Sequence, residues 1–183
     1  MDLIAAIEDR SSASRLTEPA PNKEQLEKIL RAAAHAPDHG RLSPWRFAVM
    51  QGDSRQVLAD AMADLLMRTH ADADGDMQAA EKAKALRAPM IIAVAAHVTA
   101  GHKVPEIEQV VAVGAAIQNM LLAAESLGFG SMWKTGAPAY DAGVRQALGF
   151  AADDQIIGFV YLGRQLAPGK PREHTLTGLV RYL

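Results

Sequence analysis

The sequence predicts an α+β fold in which a central sheet of about four or five strands is covered by helices. Two observations support this class: short apolar runs with the length of buried strands alternate with longer segments whose apolar residues recur at helical spacing. The chain has 183 residues and is 49% hydrophobic, which is enough for one sizeable core. It contains no internal repeat and no linker rich in proline or serine. We therefore expect a single domain over residues 1–183.

The first forty residues predict two helices. A short amphipathic pattern formed by Leu3, Ile4 and Ile7 ends near residue 9. Asn22 and Gln25 then have the spacing of a capping box, which marks the start of a second helix. Its apolar positions continue to about His35 and are Leu26, Ile29, Leu30 and Ala33. The sequence Ala-Pro-Asp-His-Gly at 36–40 ends this helix.

The next part of the chain predicts a buried strand over 45–50 and a helix that Asp53 caps. The apolar positions of that helix are Val57, Leu58, Met62, Leu65 and Leu66. Residues 72–76 form an Asp-rich loop. Because its glycine precedes the third aspartate and no glutamate closes the pattern, an EF-hand is not expected there.

The second half predicts a buried strand over 90–96, a long helix over 107–127 and a strand over 131–134. A short helix over 141–148 and a strand over 155–162 follow. The long helix is rich in alanine and glycine, which fits two interpretations equally well. The small residues allow close packing inside one chain, or the helix forms the spine of a dimer.

Composition excludes several classes of function. The chain has no cysteine, so disulfides, thiol catalysis and cysteine-ligated metals are excluded. Its formal net charge is -2 and it has no long basic stretch, so nucleic acid is a poor partner. Residues 1–4 lack the basic region and apolar run that are typical of a signal peptide, and the apolar run over 90–96 is too short to cross a membrane. We expect a soluble cytoplasmic protein that binds neither nucleic acid nor membrane.

The segment Arg10-Ser11-Ser12-Ala13-Ser14-Arg15, here called the Arg10 segment, is the first candidate binding site. Two guanidinium groups and three hydroxyls within six residues can surround a phosphate through charge-assisted hydrogen bonds. A polar loop that only caps the first helix is the alternative, and composition alone favours that alternative.

A second candidate is the loop that contains His35 and His39. Their i,i+4 spacing would suit two metal ligands on a helix, but Pro37 between them breaks the helix. No HExxH pattern accompanies them, so we expect no metal site. The third candidate, Gly128 to Gly136, resembles a dinucleotide fingerprint but follows a helix and enters a strand, which is the wrong order. No P-loop or GxSxG motif is present.

Taken in order, these segments resemble the nitroreductase family, especially its small bacterial members. The Arg10 segment follows the first helix, as does the family's Arg-x-Ser phosphate grip. Residues 36–39 and 43–47 (APDH and SPWRF) are similar to its AP…QPW-x-F segment. The helix at 114–124, with the glycines and Trp133 that follow, resembles its central helix and next strand. Residues 158–163 resemble its last core strand and 170–172 its basic pair.

This resemblance implies a mostly antiparallel sheet and an intertwined homodimer with two FMN sites at the interface. Arg10, Ser11 and Ser12 would bind the flavin from one subunit. His35 and His39 would reach it from the partner. The isoalloxazine would be lined by Trp133, Lys134 and Thr135, with a backbone N–H near its N5, and Arg172 would assist at the phosphate.

One position departs from the family pattern. Typical members have a basic residue where this chain has Ser14, and Arg15 stands beside it. Ser14 is kept as a flavin-binding candidate. The group that neutralises the flavin N1–C2 carbonyl edge is therefore open, with Lys134 as a candidate.

The resemblance also implies the chemistry: an FMN-dependent oxidoreductase that uses NAD(P)H to reduce nitroaromatics, quinones or similar small acceptors by ping-pong hydride transfer. The flavin N5 carries the reaction, so no side chain is assigned as catalytic and no metal is needed. Three alternatives stay open: another reduction on the same fold (of an enone or a flavin), a non-catalytic flavin-binding protein, or a cofactor-free interaction protein. The residues do not indicate the acceptor or the choice between NADH and NADPH. A variable lid over 67–84 is a further hypothesis.

Overall fold

A computed structural model describes residues 3–167, 169 and 175–183. The helices in this part of the chain are α1 (Leu3–Asp9), α2 (Lys23–Ala34), α3 (Arg55–Thr69), α4 (Gly75–Ala85), α5 (Glu106–Ser126), α6 (Ala137–Tyr140) and α7 (Ala142–Ala147). The strands are β1 (Leu16–Thr17), β2 (Trp45–Gln51), β3 (Met90–Ala96), β4 (Gly130–Lys134) and β5 (Gln155–Gln165). A 3₁₀ turn, Gly52–Ser54, joins β2 to α3.

The five strands form one antiparallel sheet with β5 at its centre. The order is β1-β5-β3-β2, and β4 also pairs with β5. Strand β5 is long enough to pair with β3 along one edge and with β4 and then β1 along the other. The predicted α+β class and the antiparallel sheet are confirmed.

Two apolar clusters cover the two faces of the sheet, and β3 supplies both. Met90, Ile92 and Val94 pack with α2 and α5 on one face. Ile91, Ala93 and Ala95 pack with α3 and α7 on the other. All seven residues of β3 are buried, which explains why this strand is continuously apolar rather than alternating.

Two of the predicted helices, α2 and α5, are present where the sequence predicted them. The Asn22 side chain accepts the Gln25 N–H at 2.9 Å, while the Asn22 N–H donates to the Gln25 side chain at 3.0 Å. This capping box begins α2, as predicted. The long helix α5 is apolar and long enough to qualify as a membrane span by length and composition. It is nevertheless a core helix, because Val113, Ile117 and Met120 are fully buried against the sheet.

Several local predictions were wrong. The strand over 45–50 is not buried: β2 is the last strand in the order, and Met50 is its only buried residue. Helix α3 is not capped by Asp53, since it begins after Ser54, whose hydroxyl instead bonds the backbone of Gln51. Residues 75–85 form the unpredicted helix α4, and Asp74 caps it by accepting the Met77 N–H at 2.8 Å. The short elements β1 and α6 were also missed.

Candidate active site

A cavity of about 440 Å³ lies at the carboxyl end of β4. Its walls come from α3, α4, the β4–α6 turn and β5. The lining residues are Met62, Leu65, Leu66, Thr69, His70, Glu81, Lys84, Arg87, Lys134, Thr135, Gly136, Ala137, Pro138, Phe159 and Tyr161. We call this space the β4 cavity. Its apolar floor with a few charged groups at the rim suits a planar, partly polar ligand.

The turn at the end of β4 shapes this cavity. Lys134 is the last residue of the strand, and Gly136 follows with a φ of +103°. That backbone conformation is accessible to glycine and strained for other residues. The turn leads into Ala137 and Pro138 of α6, which also line the cavity.

Three cationic side chains meet in the β4 cavity. Lys84 and Arg87 approach from α4 and the turn after it, and Lys134 comes from β4. Lys84 is paired with Glu81. Partial burial, with the charges of Arg87 and Lys84, lowers the pKa of Lys134. Because the neighbouring positive charges disfavour the charged form of Lys134, an anionic ligand would relieve the repulsion.

Tyr161 forms part of the cavity floor beneath Lys134. The Lys134 Nζ atom lies 5.1 Å from the centre of the Tyr161 ring, within the range of a cation–π contact. Burial raises the pKa of Tyr161 to about 12. The phenol therefore remains protonated at neutral pH and is available as a hydrogen-bond donor.

The Arg10 segment lies along the same strand, at its other end. The Ala13 N–H donates to the Ser131 carbonyl at 2.9 Å. Ser11 lies against Gly169, because a Cβ on that glycine would stand 1.6 Å from the Ser11 Oγ. Three residues of extended strand, about 10 Å, separate Ser131 from Lys134. Arg10, Ser11, Ser12 and Ser14 are thus held near β4 without lining the β4 cavity.

Trp133 occupies the face of β4 opposite Lys134, since successive residues of a strand point to opposite sides. Its Nε1 donates to the Ile157 carbonyl at 3.3 Å. The ring packs over Gly158, where a Cβ would lie 2.1 Å from that nitrogen. Of the three predicted ring-lining residues, Lys134 and Thr135 line the β4 cavity and Trp133 does not.

His35 and His39 lie in the loop of residues 35–44, which we call the His39 loop. His35 is the residue that follows α2, and His39 Nδ1 is 2.5 Å from Glu108 Oε2 in α5. His39 borders a separate, mainly apolar groove of about 340 Å³ with Ile107 and Val111. Within one chain, neither histidine is among the described residues that line the β4 cavity.

The remaining predicted residue, Arg172, lies outside the described residues, as do Lys170 and Pro171. Its role at the phosphate stays a prediction. Gly169, which touches Ser11, is the described residue immediately before this basic pair.

One group of three candidate metal ligands, His97, Asp153 and Asp154, occurs in the described part of the chain. The Asp154 carboxylate is already engaged on both oxygens, by His97 Nδ1 at 2.7 Å and by the Ala151 N–H at 2.8 Å. These bonds tie the start of β5 to the end of β3. His35 and His39 do not belong to this group.

Sequence reasoning missed Lys84, Arg87 and Tyr161 as site residues. Lys84 ends the segment suggested as a lid, and Arg87 lies three residues further on, just before the buried strand β3. That spacing places both on one side of a helical turn, but nothing in it identifies Lys134 as their neighbour. Tyr161 was predicted only as a strand residue.

Comparison with known proteins identifies the fold family. The model of the nitroreductase family matches residues 7–164. The chain belongs to the nitroreductase family. Its predicted fold and its enzyme class, an oxidoreductase, are thereby confirmed.

Two relatives are similar in sequence over most of the chain. YdjA of Escherichia coli (strain K12), provisionally named an NAD(P)H nitroreductase, is 42% identical over 89% of this chain and 88% of its own length. A protein of Haemophilus influenzae with the same provisional name is 37% identical over 89% of this chain and 88% of its own.

Solved structures of the family have the same fold. A nitroreductase-like protein from Bacillus cereus aligns with a TM-score of 0.84 and 23% identity, covering 100% of this chain and 96% of the other. A provisionally named nitroreductase from Desulfovibrio desulfuricans, solved with FMN, aligns with a TM-score of 0.77 and 26% identity over 98% and 95%.

Proposed function

We propose that this protein is an FMN-dependent oxidoreductase that uses NAD(P)H to reduce nitroaromatics, quinones or similar small acceptors. FMN and NAD(P)H, implied by the sequence, agree with the names of the relatives and with the FMN complex of a structural neighbour. The observation that carries the proposal is the arrangement along β4: hydroxyls and a guanidinium at one end, and an amphipathic cationic cavity at the other.

The chemistry of the donor groups fits FMN. Its phosphate is a dianion that guanidinium and hydroxyl groups bind through charge-assisted hydrogen bonds. Arg10, Ser11 and Ser12 supply those groups beside β4, and Ser14 and Arg172 are assigned to the same end. The separation of about 10 Å from Ser131 to Lys134 can be bridged by a phosphoribityl chain.

The β4 cavity fits the ring system. Leu65, Leu66 and Phe159 offer apolar surface to a flat aromatic ring. Lys84, Arg87 and Lys134 supply positive charge where the reduced ring is anionic. Lys84 and Arg87 are therefore further candidates, beside Lys134, for the group that neutralises the flavin N1–C2 carbonyl edge. Thr135 and Gly136 complete the cavity wall at the end of β4.

FMN, when bound, supplies the redox chemistry, so the tasks of the chain are binding, orientation and charge. The cavity is open to solvent on one side. We propose that donor and acceptor use this opening in turn, which makes the kinetics ping-pong. Helix α4 forms one wall of the cavity. It covers much of the segment 67–84 that was suggested as a lid.

We also propose that the active unit is a homodimer. Helix α1 has no buried residue within the chain, and Ile107 and Val111 of α5 are 66% and 61% exposed. Exposed apolar surface on a long helix suits an interface between subunits. In this assembly His35 and His39 reach the partner's flavin. We further propose that residues 1–183 form a single domain. We also propose that the protein is located in the cytoplasm.

The experiment is steady-state kinetics with the FMN-loaded protein, NADH or NADPH, and either a nitroaromatic or a quinone. Parallel lines in double-reciprocal plots and NAD(P)H consumption that depends on acceptor are expected. A protein that retains FMN but does not consume NAD(P)H with any acceptor is a flavin-binding protein, and that result would refute the enzymatic proposal. Activity with an enone or free flavin alone would show that the acceptors are not nitroaromatics or quinones.

A further inference from the structure

The exposed side chain of His39 is held by a carboxylate of its own chain. His39 Nδ1 and Glu108 Oε2 are 2.5 Å apart, and their side chains are 67% and 45% exposed. Glu108 stands in the first turn of α5. The pair is 69 positions apart in the sequence and joins the His39 loop to the longest helix of the fold.

The backbone of Glu108 is held in place by the hydrogen bonds of its neighbour. Gln109, the next residue, is buried, and its side chain bonds the Thr99 N–H at 2.9 Å and the Val104 carbonyl at 3.1 Å. These bonds anchor the first turn of α5 to the loop that precedes it. The position of the Glu108 backbone therefore does not depend on its contact with His39.

The His39 loop has its own internal supports. The Asp38 carboxylate accepts the Ser43 N–H at 2.6 Å. Gly40 has a φ of +83° and packs on Val104, where a Cβ would be 3.0 Å from the Val104 Cγ2 atom. Loss of the Glu108 carboxylate would thus leave the loop backbone in place and free only the imidazole.

We propose that Glu108 is a positioning residue that orients His39 toward the flavin of the partner subunit. The inference rests on the proposed function, because it takes His39 as a flavin contact in the dimer. A carboxylate accepts hydrogen bonds only, so Nδ1 carries the proton in the pair. Nε2, on the other side of the ring, is then the atom presented outward, with its tautomer fixed by Glu108.

A contact that serves stability alone makes different predictions. Exposed ion pairs contribute little to folding stability. If Glu108 served stability alone, its removal would lower the free energy of unfolding measured without FMN. That loss would be the same whether or not His39 is present. A positioning Glu108 acts on FMN affinity, and only when His39 is present.

The test uses the full chain and FMN itself as the probe. The variants are Glu108→Ala, Glu108→Gln, His39→Ala and the His39→Ala/Glu108→Ala double variant. Glu106→Ala, also an exposed carboxylate in the first turn of α5, is the matched control. Flavin fluorescence gives the Kd, two-dimensional NMR of the imidazole nitrogens gives the His39 tautomer, and urea unfolding without FMN gives stability.

We expect Glu108→Ala to weaken FMN binding by about five- to tenfold, the effect of one hydrogen bond. The Nδ1-protonated tautomer should give way to a mixture, and unfolding without FMN should change little. Glu108→Gln, whose amide oxygen can still accept from Nδ1, should restore most of the affinity. In the His39→Ala background, Glu108→Ala should have no further effect.

Three results would overturn the inference. Glu108→Ala with wild-type affinity and an unchanged tautomer, beside a weakened His39→Ala, refutes the role of Glu108 and leaves the proposed function intact. Additive losses in the double variant refute action through His39. A wild-type chain that does not bind FMN refutes both the inference and the proposed function.

Discussion

The backbone N–H of Ala13 donates to the Ser131 carbonyl at 2.9 Å, which holds the Arg10 segment against β4. Ser131 is three residues before Lys134, one of the three cationic side chains of the β4 cavity. In the proposed function, the strand is a rigid spacer between the segment assigned to the phosphate and the cavity assigned to the ring. Small shifts at either end would change how both ends fit one ligand.

Arg10→Ala should weaken FMN binding without unfolding the chain. A hydrogen bond to a charged group contributes about 1.5–3 kcal/mol, so the Kd should rise about 10- to 100-fold. Flavin fluorescence titration measures this change. Arg31→Ala is the control, because that exposed arginine pairs with Glu27 on α2, away from the Arg10 segment. Equal Kd values for wild type and Arg10→Ala would remove Arg10 from the site.

Lys134→Met should make the bound flavin harder to reduce. Its positive charge favours the anionic reduced ring over the neutral oxidised ring, so its loss should lower the two-electron reduction potential by on the order of 30 mV. Spectroelectrochemical titration gives the potential. Lys103→Met, which changes an exposed lysine outside the β4 cavity, should have no effect. A potential that does not move in Lys134→Met would assign the charge to Lys84 or Arg87 instead.

The fold was predictable where local chemistry determines it. Asn22 and Gln25 predict the start of α2, and the continuous apolar run of β3 predicts a strand buried on both faces. Helix α4 was missed because its sequence, GDMQAAEKAKA, carries no clear apolar face and follows an Asp-rich stretch. The exposure of β2 could not be predicted, since it depends on strand order.

The site was predictable only in part, for a similar reason. The Arg10 segment and Lys134 lie in motifs that can be recognised in the sequence. Lys84 and Arg87 reach the cavity at the end of β4 only because α4 packs on α3, which is a tertiary relationship. The pairing of His39 with Glu108 spans 69 positions and has no local signal at all.

Acid should destabilise the fold partly through Asp141. Its bond to Arg68, at 2.9 Å, holds the pKa of Asp141 below its usual value. A carboxyl whose folded pKa is depressed contributes stability that is complete above its unfolded pKa and is lost as pH falls through the folded value. Asp141→Asn keeps the cap on Val144 but lacks this contribution.

Urea unfolding at about pH 7 and about pH 3 checks this prediction. The wild type should lose more stability between the two pH values than Asp141→Asn does. The control is Asp153→Asn, because that exposed side chain does not contact Arg68. If the wild type and Asp141→Asn lose the same amount, the ion pair does not contribute to the acid sensitivity.

The dimer should depend on the exposed face of α5. The Ile107→Glu/Val111→Glu double variant places two carboxylates on this face and should convert the dimer to a monomer. Sedimentation velocity reports the mass, and FMN titration tests the proposed contribution of the partner's His39 to the site. Val57→Glu, which alters a 45% exposed apolar residue on α3, should remain dimeric. A wild-type chain that sediments as a monomer with FMN bound would contradict the shared site.

The most direct test of the proposed function is a flavin titration of the purified full chain, with the bound chromophore released and identified by mass. The proposed function predicts a yellow protein that has the absorption bands of oxidised flavin and saturates at one FMN per chain. It also predicts that Arg10→Ala weakens this binding while Arg31→Ala does not. A colourless protein that fails to take up added FMN would contradict every site assignment made along β4.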